Sequence, residues 1–337
     1  MRGISATLAC ALIILPGLAF AADDIGIVTG PKTGTYYAFG KDIAQVAAKA
    51  RIDVNVKPSE GSVDNIKRIN SSENAAIGIV QSDVLGFLSR SKSVQSMRMA
   101  SNLRMIFPFY NEEVHVLARR DIKTFADLKG KKVAIGEEGS GNMLTSINLF
   151  AMMNISPGQS VKISPAQGVV AVLKGELDAV VFVGGKPVRL FKNLEDLSLP
   201  ENRKYGDMLS EVHFLALDDP KMLEEYKPAE ITPDDYSFVQ QKVPTIAVQA
   251  VMISYDFSQG NKRRCERLGK LTKAIRAALP GLKEKGHPKW KEVNLDADPG
   301  IWKKDSCAWP ESKKKPDDDK SGAGRDLMRI LEKDKAN

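Results

Sequence analysis

Histidine and cysteine are both scarce in this 337-residue chain, with three of each. His115, His213 and His287 are scattered along it, which speaks against a histidine-built metal centre or a histidine general base. The cysteines have no histidines at zinc-site spacing. Glycine patterns for phosphate or dinucleotide binding are incomplete, and Gly139-Ser140-Gly141 lacks the glycines two residues to either side of the serine that a nucleophile elbow requires. These absences disfavour an enzyme, a resident cofactor and a metal. Charge of one sign is not in large excess either. Forty-nine Lys and Arg stand against 42 Asp and Glu, a formal net charge of +7. The lysines crowding 303–320 meet Asp317-Asp318-Asp319, so the basic tract is partly cancelled and nucleic acid is not an expected partner.

Long apolar runs are missing after the first twenty residues. The one at the start, Ile4 to Phe20, follows Arg2, is interrupted by Pro16-Gly17 and closes on Ala19-Phe20-Ala21. A charged start, a short apolar centre and a small-x-small ending predict a secretory signal over residues 1–21 with cleavage before Ala22. Cys10 lies inside the apolar run and has Thr7, not leucine, three residues before it, so a lipid anchor is not expected. Processing removes Arg2 and no acid, leaving +6. It also leaves two cysteines, Cys265 and Cys307, which in an oxidising compartment read as one disulfide.

What is present is an alternation of apolar runs and amphipathic stretches. Ile25–Val28 reads as a buried strand, then Gly30-Pro31-Lys32-Thr33-Gly34 as a turn, then Tyr36–Ala50 as a helix with Tyr37 on its apolar face. Ile52–Val56 and Ala75–Val80 read as further strands, each leading through polar residues into a helix. Helix starts of this kind offer unpaired N–H groups and the positive end of a dipole, so these turns are expected to cradle an anion. In open α/β sheets ligands collect beyond the carboxyl ends of strands. Leu103–Arg119 reads as an extended crossing broken at Pro108–Glu113. A second unit then repeats the logic: strand 131–136, the turn Glu137–Asn142, a helix to Met153, strand 179–183 and a second glycine pair before Lys186-Pro187-Val188, where another helix is expected. Pro244–Ser254 returns the chain to the first unit, where Arg263–Leu279 forms a basic helix and the segment holding Trp290, Trp302 and Trp309 wraps the unit. The expected division is 22–112 with 244–311 in one lobe, 113–243 in the other, and 312–337 as a charged tail ending in a short helix.

Taken together, Gly34-Thr35-Tyr36-Tyr37 with Gly40, Glu60-Gly61-Ser62-Val63-Asp64-Asn65, Ala76–Asp83 and Asp127–Gly136, followed in order by Gly139-Ser140-Gly141, Gly175–Ala179 and Gly185-Lys186-Pro187, resemble the extracytoplasmic solute-binding proteins of TRAP transporters, specifically the TAXI class. The resemblance implies an α/β, two-lobed periplasmic-binding-protein fold. Each lobe would be a mixed, mainly parallel sheet flanked by helices, and two crossover strands would join the lobes. It implies a small ligand in the cleft, an amino acid such as glutamate or a dicarboxylate, and the transporter's membrane subunits as partners of a monomeric periplasmic protein.

Carried over by position, Gly34, Thr35, Tyr36, Ser62, Asn65, Gln81, Ser82 and Asp83 line the cleft from the first lobe. Ser140, Gly141, Asn142, Gly184, Gly185 and Lys186 line it from the second. Ser62 and Asp83 are equally good helix caps. Lys186 is the residue expected to meet a ligand's negative charge, against the ordinary alternative of a solvated lysine. The leading function is capture of a small solute and delivery to a membrane transporter. A ligand-sensing adaptor for a membrane receptor and a periplasmic enzyme on the same fold are the alternatives.

Overall fold

The computed structural model describes residues 25–309, apart from 33, 72–74, 92, 199–202, 259 and 299. The signal segment and the charged tail with its expected helix lie outside the described residues. Strands β1 (Ile25–Val28), β2 (Val54–Lys57) and β3 (Ile77–Gln81) alternate with helices α1 (Thr35–Lys49) and α2 (Ser62–Asn70). The short helices α3 (Val84–Arg90) and α4 (Val94–Asn102) lead to the long strand β4 (Leu103–Arg119). Then follow β5 (Lys132–Ala134), α5 (Gly141–Met152), β6 (Gln159–Val161), α6 (Pro165–Leu173) and β7 (Ala179–Gly184). After α7 (Arg189–Lys192), α8 (Arg203–Ser210), β8 (Val212–Phe214) and β9 (Lys227–Ile231), strand β10 (Val243–Tyr255) runs back and is followed by α9 (Lys262–Lys285).

All ten strands join one sheet of order β2-β1-β3-β10-β4-β7-β5-β6, with β8 on β4 and β9 on β10. The strands β1, β2 and β3 are parallel, as are β5, β6 and β7, while β4 and β10 run antiparallel to their neighbours. Each lobe is therefore a βαβ-type half, and β4 and β10 are the two crossovers. The first lobe is built on β2-β1-β3, the second on β7-β5-β6. At the passage between them Glu113 pairs with Ala247 of β10 on one side and Gly184 of β7 on the other.

The expected break in β4 is absent. The strand runs unbroken through Pro108, and the register against β10 shifts between Gln249 and Val251 instead. A bulge accommodates a residue that has no N–H to give to the ladder. Helix α1 also differs from its expected face: Phe39, Gly40, Ile43 and Ala47 are buried, while Tyr37 is half-exposed with the Lys41 ammonium over its ring. The 3.6-residue period is right, but the stripe is anchored on Phe39, whose ring stacks on Trp290 at 4.2 Å. Helix α9 runs on past Pro280 to Lys285, because Leu268, Leu271, Ile275 and Leu282 share a face that is buried in the first lobe. That burial outweighs one lost backbone bond. The helix expected at Pro187 starts at Arg189.

The C-terminal tryptophans do wrap the first lobe. Trp302 donates to the Ser82 carbonyl at 3.2 Å and Trp309 to the Ile106 carbonyl at 2.7 Å. Cys265 on α9 is disulfide-bonded to Cys307, Cα to Cα 5.0 Å, tying this segment down as the cysteine count suggested.

Candidate ligand cleft

Strands β1 and β3 and the crossover β4 deliver polar residues to the seam between the lobes, and the two glycine-rich helix starts that meet there are those of α2 and α5. Gly61, at φ 123°, precedes α2; a Cβ on it would lie 3.2 Å from the Gly141 nitrogen and 3.4 Å from Ser140 Cα. On the opposite side, a Cβ on Gly141 would fall 2.2 Å from Gln81 Oε1. Only hydrogen at both positions lets the backbones approach so closely. The Gly139 carbonyl accepts from the Val63 and Asp64 amides at 3.1 and 3.2 Å, so two of the first N–H groups of α2 are satisfied by the other lobe. The Ser140 side chain caps α5 through the Met143 amide. These helix starts close on one another, with the Val63, Asp64 and Met143 amides already bonded.

Beside this contact lies a buried polar seam. Asp83, just before α3, does not cap its own helix. Its Oδ2 accepts from Thr145 at 2.8 Å and from Tyr226 at 2.9 Å, both in the second lobe, with the Asn148 amide at 3.4 Å. Its Oδ1 is buried and has no hydrogen-bond partner. Desolvation pushes the Asp83 carboxyl up to about 6 despite those donors. At the rim, Arg90 and Glu225 form a two-bond ion pair between the lobes at 2.5 and 2.9 Å.

Glu112 and Glu113 sit side by side in β4 at the crossing, and each is only 6% exposed. Glu112 Oε2 accepts from the Tyr36 hydroxyl at 2.6 Å. Burial pushes the Glu112 carboxyl up to about 8, with the charges of Glu113 and Asp83 adding to it and the Tyr36 bond and Lys289 opposing. Glu113 is raised as well, burial again being the main cause. The Tyr110 hydroxyl is buried beside Thr35, within reach of the charges of Glu112 and Glu113, and makes no hydrogen bond of good geometry. Lys289 is the buried cation of this region: its Nζ lies 4.0 Å from Glu113 Oε2 and 2.6 Å from Glu292 Oε1.

The residues expected from sequence divide as follows. Ser62, Gln81, Ser140 and Gly141 meet at the glycine contact, where Ser62 Oγ accepts from the Gln81 amide at 3.1 Å. Asp83 and Tyr36 belong to the polar seam, and Thr35 begins α1 beside Tyr110. Gly34 lies in the preceding turn, its amide donating to the Pro31 carbonyl. Asn65 is wholly buried inside the first lobe: its amide nitrogen donates to the carbonyls of Thr29 and Ile79, and its oxygen accepts from Ser59. All its polar atoms are used to tie strand ends together. Ser82 exchanges bonds with Gln249 of β10, and Asn142 accepts from the Val183 amide. Gly184 lies against the Phe182 ring and Gly185 against Lys289.

Lys186 departs from its expected part. Its ammonium donates to Asp235 at 2.8 Å and to the Glu230 carbonyl, both in its own lobe, and only its backbone N–H reaches the seam, at Glu113 Oε2. The missed groups are Glu112, Glu113, Tyr110, Thr145, Asn148 and Tyr226. Two adjacent acids between the apolar runs of a seventeen-residue strand were the available signal, since buried carboxylates seldom serve packing.

Among the described residues no group of His, Cys, Asp and Glu is arranged to hold a metal ion, and no helix is long and apolar enough to cross a membrane. His115 is buried in an aromatic nest with Phe191, Phe214 and Tyr236, where desolvation lowers it to about 3 and keeps it neutral. A surface groove of about 370 Å³, lined by Leu217, Leu223, Pro228 and Pro244, contains none of the seam's carboxylates.

Residues 27–298 match the model of the NMT1-like family. Among solved structures, the chain is similar to the periplasmic binding protein BugD (13% identity, 82% of this chain and 90% of that one, TM-score 0.48). It is also similar to a histidine kinase sensor domain with similarity to periplasmic binding proteins (14%, 81% and 98%, 0.46). A third is the arginine-, lysine-, histidine-binding protein ArtJ from Geobacillus stearothermophilus (14%, 77% and 91%, 0.42).

Proposed function

The chain belongs to the NMT1-like family, and from that premise we propose that it is a two-lobed solute-binding protein that closes on a small polar solute between its lobes. The observation that carries this reading is the seam itself. Asp83 of one lobe is held by Thr145, Tyr226 and Asn148 of the other, yet keeps a buried oxygen unpartnered. A buried acceptor without a donor costs on the order of 1–3 kcal/mol, and a solute bound between the lobes would relieve it. Lobe closure around a guest is then a population shift, and the closed form is the signal a partner reads.

The finer reading is delivery to the membrane subunits of a TAXI-class TRAP transporter by a periplasmic protein without catalytic activity. The motif order of the sequence supports it, as does the secretory start. A glutamate-like amino acid or a dicarboxylate is the solute that resemblance suggests. Thermal-shift screening of the ligand-stripped mature protein against amino acids, dicarboxylates, amines and sugars tests the reading. A binder at a hundredfold excess over its Kd is expected to stabilise by about 2.7 kcal/mol. A flat response across all classes would sink it.

A further inference from the structure

The charge balance of the seam points away from an anionic guest. Asp83, Glu112 and Glu113 are three buried carboxyl groups, and Lys289 is the buried ammonium set against them, already bonded to Glu292. The other cations near the seam are committed elsewhere: Arg90 to Glu225, Lys186 to Asp235. At the two helix starts that meet between the lobes, the Val63 and Asp64 amides are already bonded to Gly139 and the Met143 amide to Ser140. Asp83 Oδ1 remains unpartnered, and the Tyr110 hydroxyl, beside Thr35, makes no hydrogen bond of good geometry; both have oxygens able to accept. Taking charges into a dry cleft is costly unless they are matched, so the best guest carries the sign the cleft lacks.

We propose that the inter-lobe cleft recognises a protonated amine, with Asp83 Oδ1 and the Tyr110 hydroxyl oxygen as acceptors of its N–H groups and Glu112 as a further counter-charge. An ammonium has three donors and no acceptor, which suits a lining of carboxylates and phenols. A net-positive solute also favours release of the proton that burial keeps on Glu112. This inference rests on the solute-binding reading and names the solute's charge class.

The test uses the ligand-stripped mature protein at pH 7.5 with four probes of similar length: 1,4-diaminobutane, 1,4-butanediol, succinate and glutamate, and calcium chloride as an inorganic cation. Stabilisation by the diamine, with none by the diol or succinate, is the expected result. In calorimetry Asp83→Asn weakens the diamine at least tenfold. Tyr110→Phe weakens it severalfold, and the diamine affinity is compared at matched fractions of folded protein. Tight binding of succinate or glutamate without the diamine overturns the charge assignment but keeps the solute-binding reading. Stabilisation by calcium without the diamine, or a diamine affinity that neither variant alters, likewise overturns it. If no probe and no member of the wider solute panel binds, the solute-binding reading fails and this inference with it.

Discussion

Glu112 offers a test of the seam that needs no ligand. Its carboxyl group is lifted to about 8 by burial, from an ordinary value near 4.5. The folded chain therefore holds a proton that the unfolded chain releases once the pH passes about 4.5. Stability from this group is fully present below that pH and is lost as the pH rises through 8. One proton difference gives a slope of about 1.4 kcal/mol per pH unit, so the loss accumulated across the window is on the order of 5 kcal/mol. Lobe separation that lets water reach the group reduces it. Glu112→Gln is neutral at every pH and keeps an oxygen for the Tyr36 hydroxyl. Urea denaturation of both proteins at pH 5, 6, 7 and 8.5 is the assay, since Tyr36, Tyr110, Glu113, Asp83 and Lys289 are common to both and cancel in the difference. The two curves are expected to nearly coincide at pH 5 and to separate progressively, with the variant the more stable at pH 8.5. Parallel curves would refute the claim that Glu112 is buried and protonated.

Replacing Gly141 by valine puts a branched side chain where even a Cβ would meet Gln81 Oε1 at 2.2 Å; small-angle scattering is expected to show a larger radius of gyration than for the wild type, and an equal radius would mean that the glycine contact does not govern closure. Phe39→Ala removes a ring stacked on Trp290 and is expected to cost about 3–5 kcal/mol in denaturant unfolding. Reducing the Cys265–Cys307 bond, which spans a sequence separation of 42, is expected to lower stability by about 4 kcal/mol in the chain-entropy account; identical urea midpoints with and without reductant would contradict it. Arg90→Ala removes a half-exposed ion pair between the lobes and is expected to change unfolding free energy by no more than about 1 kcal/mol.

Much of the architecture was legible because it is written in short, strong periodicities. Runs such as Ala179–Gly184 and Ile77–Gln81 are buried on both faces of a parallel sheet and cannot be mistaken for loops. The order of strands, turns and helices then fixes a two-lobed topology with two crossovers. What escaped depended on partners remote in sequence. Tyr37 and Phe39 both lie in α1, and only Trp290, some 250 residues on, decides which ring is core. The bulge that absorbs Pro108 is a property of β10 as much as of β4.

The cleft was half legible for the same reason, and the half that was missed changes its chemistry. Glycine turns and helix starts are local features, so Ser62, Ser140 and Gly141 were expected at the junction, while Gly61, which the contact depends on equally, was not. Whether their N–H groups are free is not local: it is decided by the opposite lobe, and the Gly139 carbonyl takes those of Val63 and Asp64. Lys186 looked like a cation for the cleft only while Asp235, forty-nine residues away, was out of sight. Conversely, Glu112 and Glu113 looked like a polar interruption of an extended run. They become a counter-charge when β4 carries them between the lobes and Tyr36, Tyr110 and Asp83 gather around them. The chemistry of a cleft of this kind follows from which groups are left over after the lobes have satisfied each other, and here those are buried carboxyl groups rather than cations.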